Sequence, residues 1–269
     1  MSTVSYRDFT NTGAENYERD FVPAIATPVS ASLLRIADLQ PGERVLDVAC
    51  GTGIIARRAA AAVGPTGKVT AIDIAPDMID VARATSAPEG AVIDWHVGDA
   101  ASLPFADGTY DAVLCQMGLM FMADRAAAVA EMHRVLAPGG RVAVNTPGSI
   151  QPPFVVLEQA VVEHISPDLG GFVRAVFSMH DPEAVAALLR EGGLGDVTAS
   201  VVQVPLRLPM PAEFLWMYIN LTPMGPIVAQ ASEAARSAME RQAVAAWEPY
   251  VVDGRVHVEQ PMVVARGQG

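Results

Sequence analysis

From about residue 30 to 147, short apolar runs alternate with longer segments whose apolar residues recur at helical spacing. "RVLDVAC" reads as a buried strand, and "IIARRAAAAVG" as a helix that Gly64 and Pro65 bring to an end. "KVTAIDI" is the next strand, followed by "APDMIDVARATS", a helix with Pro76 in its first turn. "AVIDWHVGDA" and "YDAVLCQMG" supply a third and a fourth strand, the latter entered through the turn "FADGT". "DRAAAVAEMHRVL" is a helix closed by "APGG", and "RVAVNTP" is the fifth strand. Strands that are apolar throughout and alternate with helices imply a parallel sheet covered on both faces. Right-handed crossovers make such a sheet doubly wound.

After Pro147 the rhythm changes. Residues 148–180 are helical in pattern but broken by Pro and Gly, "DPEAVAALLREGGLGDV" returns to a clear helix, and "TASVVQVPLRL" is a strand. Residues 209–250 are again mostly helical, and "VHVEQPMVVARG" closes the chain as a strand. The expected architecture is α/β: a doubly wound, Rossmann-like sheet of about seven strands with mostly helical cap insertions. The core is expected at about 30–147, 181–208 and 251–269, with caps at 148–180 and 209–250, all in one domain spanning 1–269.

The chain has 269 residues, 51% of them hydrophobic and 18% charged, which is ordinary for a globular protein. Its net charge of −12 repels phosphate backbones and anionic membranes, so nucleic acid is not an expected partner. Cys50 and Cys115 form no CxxC pair and have no histidine at ligand spacing, so no metal site and no disulfide is expected. The N-terminus is polar and acidic, and the longest apolar run, "AVLCQMGLMFMA", is too short to span a bilayer. A cytoplasmic location is expected. A homodimer is compatible with the sequence, which marks no interface for one.

Ligands of open α/β sheets bind beyond the carboxyl ends of the strands, which draws attention to "DVACGTGIIA". Gly51, Gly53 and Ala56 fit the relaxed dinucleotide fingerprint G-x-G-x-x-A, with Asp73 following where a carboxylate can take ribose hydroxyls. That pattern leaves an NAD-dependent oxidoreductase as an alternative, although Lys68 is the only lysine and no tyrosine precedes it by four residues. Asp47 favours a different ligand: a carboxylate four residues before Gly51 suits an ammonium group and would repel a pyrophosphate. Asp99, in "GDA" after the third strand, is placed to accept from an adenine amino group.

"VLDVACGTG", "AIDIAPDM", "GDAASLPFADGTYDAVLCQMGLMF" and "EMHRVLAPGGRV" resemble, in order and spacing, the class I S-adenosylmethionine-dependent methyltransferases. The likeness is greatest to the small-molecule group typified by ubiquinone and menaquinone biosynthesis C-methyltransferases, over roughly residues 15–147. The resemblance implies S-adenosyl-L-methionine as cofactor. It implies that Asp47 orders the loop and the methionine amino group, with Thr52 in the loop and Gly51 and Gly53 letting the backbone approach the sulfonium. It further implies that Asp73 holds the ribose, Ile74 packs on the adenine, and Asp99 and the Ala100 amide read its edge, with Met78 and Gly98 also among the cofactor-binding residues. Gln116 and Met117 would border the methionine portion, and Ala49 replaces a customary glycine with slightly tighter packing.

Methyl transfer from a sulfonium needs positioning and dryness more than acid–base groups. No catalytic residue stands out. His96, His133 and His257 read as structural, whereas His164 and His180 lie in the first insertion, within reach of an acceptor. Met120, Phe121, Phe177, His180 and Trp216 are the candidate walls of an apolar acceptor pocket, with Met117, Met122, Met179, Met217 and Tyr218 nearby. Phe9, Tyr17 and Phe21 could fold over the cofactor. The lack of a firm base also leaves a non-methylating binder of the cofactor as an alternative. "QPPF" at 151–154 mimics an amino-methylating signature, but it follows the wrong strand for that role.

Overall fold

The computed structural model describes residues 11–86 and 89–269; Phe9, expected in a cover over the cofactor, lies outside them. The strands are β1 (Arg44–Val48), β2 (Lys68–Asp73), β3 (Ile93–Val97), β4 (Tyr110–Gln116), β5 (Leu136–Pro147), β6 (Gly195–Leu208), β7 (Val251–Val252) and β8 (Arg255–Gln268). They form one sheet in the order β3-β2-β1-β4-β5-β8-β6, with the short β7 paired to β8. β1 to β5 run parallel, whereas β8 lies antiparallel to both β5 and β6. The sheet is therefore mixed, not all parallel, because the last strand enters as a hairpin-like return and needs no crossover.

Alternation along the strands builds two cores. Val45 on β1 joins Leu33, Ile55, Ala59 and Val63 from the helices Thr27–Ala37 and Ile54–Val63 on one face. Leu46 and Val48 point the other way, toward Val129, Met132, Val185 and Leu189 from helices Arg125–Arg134 and Pro182–Glu191. Asp47 shares the parity of Val45 and is 1% exposed, so the fold buries a carboxylate in the middle of its first strand.

The segment "APGG", expected as a helix stop, is already strand. The β4–β5 register runs from the Tyr110–Leu136 pair to the Ala112–Arg141 pair across a bulge. Gly139 sits there at φ +77°, and a Cβ on Gly140 would come within 2.9 Å of the Ala137 carbonyl oxygen.

The two insertions meet in one helical layer. Helices Pro152–His164, Gly170–Val176, Pro211–Asn220 and Glu233–Trp247 share an apolar cluster built on Phe154, Phe172, Phe214 and Trp247. β6 and β8, each 14 residues long, extend into it through Leu206, Leu208, Val256 and Met262. Among the described residues no helix is long and apolar enough to cross a membrane.

Residues 11–37, ahead of β1, are helical without a break: Asn11–Asn16, a π-helical stretch Tyr17–Ala26, then Thr27–Ala37. Pro23 lies inside the π stretch, and the Thr27 amide still donates to Val22 O, five residues back. A proline ring collides with the carbonyl four residues earlier in an α-helix, and the wider turn relieves that clash. Tyr17, Phe21, Ile25 and Val29 recur every fourth residue along this segment, and all four face the same cavity.

Candidate functional site

Strand order reverses between β1 and β4, and the cavity opens at the carboxyl ends of these neighbours. It has a volume of about 950 Å³, near the upper end of the roughly 300–1,000 Å³ usual for small-molecule sites. One half is bordered by Gly51, Asp73, Ile74, Ala75, Met78, Gly98, Asp99 and Ala100. The other half is mainly apolar, bordered by Met120, Phe121, Phe154, Phe172, Phe177 and Met262, with Arg125, Tyr218, Thr222 and Gln260 as its polar members. Gln116 and Met117 lie on the wall shared by the two.

A side pocket of about 30 Å³ opens between Tyr17, Asp47, Gly51, Thr52 and Gln116. Both carboxylate oxygens of Asp47, the Thr52 hydroxyl and Oε1 of Gln116 are buried there without a hydrogen-bond partner. Burial holds the Asp47 carboxyl well above the usual carboxylate range; the Ala56 amide, near but outside hydrogen-bond geometry, and the Arg57 charge offset part of this, and Asp73 adds to it. Four unpartnered polar atoms, all able to accept, border a space whose side-chain donors are the Thr52 and Tyr17 hydroxyls and the Cys50 thiol. A compact multi-donor cation satisfies such a set, and an ammonium has three N–H donors.

Asp73 holds the loop from beneath: its Oδ2 accepts from the Gly51 amide at 2.8 Å and its Oδ1 from the Ala75 amide at 2.9 Å. Burial raises its pKa, and these amides, with that of Ile74, counter the rise. Asp99 closes a turn by accepting from the Ala101 amide. A Cβ on Gly98 would stand 2.8 Å from Ile72 Cδ1 and push that side chain aside.

Gly53 is glycine for a different reason from the one expected. It does not border the cavity: at φ +90° it starts the helix Ile54–Val63, and a Cβ would fall 2.3 Å from the Trp95 ring. Ala49 is likewise more than a tighter glycine. It sits at φ +56°, in the left-handed region, as does Met117 at φ +50° on the adjoining strand end. Gly118 lets them meet, since a Cβ on it would be 2.7 Å from that of Ala49. Such strain gathers at functional sites.

Of the expected acceptor walls, Met120, Phe121 and Phe177 border the cavity. His180 and Trp216 do not. His180 is exposed, with Nδ1 2.9 Å from the Phe177 carbonyl oxygen. Trp216 packs on the outside of the cap cluster, because helical spacing turns its neighbour Tyr218 inward. His164 pairs with Gln242, and among the described residues no histidine, lysine or glutamate lines the cavity. Phe154, Phe172, Leu206, Gln260 and Met262 were not singled out by sequence; Phe154 lies in the "QPPF" stretch set aside there.

Arg57 adds a group that the loop pattern hid. Its side chain folds back so that Nη1 donates to Thr52 O at 2.6 Å and Nη2 meets Glu18 at 2.7 Å, latching the N-terminal helix to the loop.

The model of a methyltransferase domain matches residues 45–140. The nocamycin O-methyltransferase of Saccharothrix syringae is 33% identical over 210 residues, covering 72% of this chain and 74% of that protein. The ubiquinone/menaquinone biosynthesis C-methyltransferase UbiE of Burkholderia mallei is 34% identical over 172 residues, 60% of this chain and 71% of that one. The chain belongs to the class I S-adenosylmethionine-dependent methyltransferases.

Solved structures agree in fold. Phosphoethanolamine N-methyltransferase 2 of Haemonchus contortus, in complex with S-adenosyl-L-methionine, gives a TM-score of 0.59 at 20% identity, covering 99% of this chain and 60% of that chain. A methyltransferase of Aquifex aeolicus gives 0.54 at 19% identity, covering 73% and 94%. As a family member this methyltransferase uses S-adenosylmethionine, and its orphaned acceptors fit that cofactor. The side pocket suits the amino group of a methionine moiety, and the adjoining half of the cavity suits a nucleoside.

Proposed function

We propose that this methyltransferase transfers a methyl group to an apolar small molecule held beneath the helical cap, at oxygen, carbon or nitrogen. The observation that carries this reading is the division of one cavity into a polar half at the strand ends and an apolar half walled by Phe121, Phe154, Phe172 and Phe177. Among the relatives, one is named for O-methylation and one for C-methylation.

In this reading Asp47, with Gln116 and Thr52, receives the cofactor's ammonium group. The Gly51 backbone lies along the methionine portion, with Ala49 and Met117 beside it. Asp73 accepts from the ribose hydroxyls with the lone pairs left over from its two amide bonds. Ile74 and Met78 sandwich the adenine, and Gly98, Asp99 and Ala100 follow its edge. Tyr17 and Phe21 close the cavity from above. When bound, the cofactor supplies an electrophilic methyl on a sulfonium that is also the leaving group. The chain's own contribution is to hold an acceptor in line at about 3 Å and to exclude water.

The test is transfer of labelled methyl from S-adenosylmethionine to a panel of acceptors that share size but differ in polarity. Turnover confined to the apolar members supports the reading. Turnover confined to highly charged members overturns it.

A further inference from the structure

Tyr218 is an unusual wall for an apolar chamber. It lies on the helix Pro211–Asn220, borders the cavity and is 5% exposed. Its ring packs against Phe154 and Phe214, each at 5.8 Å between centroids, which fixes its direction. Among the described residues its hydroxyl has no hydrogen-bond partner, and burial alone pushes the phenol pKa up, so it remains a neutral donor. Buried tyrosine hydroxyls usually find a partner. Two neutral polar groups border the same chamber: Thr222, whose hydroxyl donates to Ile219 O, and Gln260, whose amide donates to Pro261 O. Both have already spent a donor on the backbone. Gln260 keeps one N–H and the Tyr17 hydroxyl lies by the glycine loop, which leaves the Tyr218 hydroxyl as the unspent hydroxyl donor of the apolar half.

The chamber also offers little to remove a proton. Among the described residues the carboxylates bordering the cavity are Asp73, Asp99 and Asp124. Asp73 and Asp99 bind amides in the polar half, and Asp124 caps the helix Arg125–Arg134 by accepting from the Ala127 amide. Among the described residues Arg125 is the one cation on the wall, with hydrogen bonds to Leu119 O, Met120 O and the Ser178 hydroxyl.

Resting on the reading of the apolar half as the acceptor site, we infer that the acceptor is an apolar molecule carrying an acidic oxygen, anionic in water at neutral pH, and that the Tyr218 hydroxyl donates to that anion and positions it. A lone pair of the oxygen forms the new bond to the methyl carbon as the carbon–sulfur bond breaks, and the electrons of that bond leave on sulfur. An anion and a sulfonium become two neutral products, so no proton has to depart and no base is needed. The surface charge of −12 works against an anion at long range. Selection therefore falls on the acceptor's apolar body, and Tyr218 acts only after entry.

Calorimetry in saturating S-adenosylhomocysteine tests this with probes on one skeleton: 4-phenylbutanoic acid, 4-phenylbutan-1-ol, 4-phenylbutylamine, and a cyclic 1,3-diketone bearing the phenylbutyl group. Expected is binding of the carboxylate, the acidic enolate or both at least tenfold tighter than the alcohol and the amine. The two acidic probes separate a carboxylate acceptor from an enolate one. Tyr218→Phe should erase the preference, with S-adenosylhomocysteine binding unchanged as the report of intact folding. Equal binding of acid and alcohol, preference for the amine, or a preference that survives in Tyr218→Phe overturns the inference while leaving the apolar site intact. Failure of all four probes to bind overturns the inference together with the apolar-acceptor reading, and cofactor binding in the same experiment keeps the family assignment separate.

Discussion

Asp47 concentrates the physics of the site in one residue. A fully buried carboxylate with neither oxygen paired is costly, and a protein tolerates it where a ligand repays the cost. Asp47→Asn should therefore weaken S-adenosylhomocysteine binding by about 2 kcal/mol or more, roughly 30-fold, the range for a lost charge-assisted hydrogen bond. The same variant should leave the ligand-free protein at least as stable as wild type, which a thermal melt would check. Ala49 offers the complementary case. A left-handed non-glycine residue costs about 1–2 kcal/mol and glycine's extra chain entropy returns about half of that, so Ala49→Gly should stabilise by roughly 0.5–1 kcal/mol. A denaturant midpoint that moves up without a change in slope would show it. Gly118→Ala, which would press on Ala49 and Cys115, should cost about 1–3 kcal/mol as an overpacked position does.

At the scale of elements, the latch between the N-terminal helix and the glycine loop is one ion pair. The Arg57 guanidinium is 9% exposed and depends on Glu18 for its counter-charge. Glu18→Gln keeps a hydrogen bond but removes the charge. It should cost about 2 kcal/mol, below the roughly 3–5 kcal/mol of a fully buried broken pair because Glu18 is 21% exposed. Proteolysis should then begin within residues 11–37, and S-adenosylhomocysteine should protect against it; an unchanged cleavage pattern would show that the latch holds nothing. This helix was hard to read from sequence because Pro23 and Pro28 fall inside the pattern and read as helix breaks. The strands and crossover helices were legible because burial on both faces leaves apolar runs, and capping residues such as Asp124 and Asp181 mark helix starts. Of the site, the acidic residues at strand ends could be read, since topology alone puts them together. Gly53 could not, because its partner Trp95 lies two strands away. Of the expected neighbours Trp216 and Tyr218 only Tyr218 reaches the wall, a choice that the sequence of a mostly apolar helix leaves undetermined.

For the whole molecule, the buried acids link cofactor binding to pH. Asp47 and Asp73 have folded-state pKa values raised above the ordinary carboxylate range. In the window between the unfolded and folded values the native state keeps protons that the unfolded state has lost. Ligand-free stability from these groups is therefore full below the ordinary carboxylate pKa and falls as pH rises through the folded one. Glu43, Asp111 and Glu131, held by Arg141, Arg44 and Arg134, have lowered values and act in the opposite sense, losing stability as pH falls. The Asp47 contribution is thus read as the difference between wild type and Asp47→Asn across pH. That difference should move in favour of the variant as pH rises, and the thermal shift given by S-adenosylhomocysteine should grow in the wild type over the same window. A flat difference would place the Asp47 pKa at its ordinary value.

In the proposed function a cationic nucleoside, rather than a dinucleotide, lies against this loop with its ammonium on Asp47. Calorimetric titration of the stripped protein and of Asp47→Asn with S-adenosylmethionine, S-adenosylhomocysteine and NADH separates the two. Expected are micromolar binding of the first two to wild type, a loss of roughly 30-fold or more in Asp47→Asn, and no heat with NADH. Tight NADH binding, or S-adenosylmethionine binding indifferent to Asp47→Asn, would contradict it.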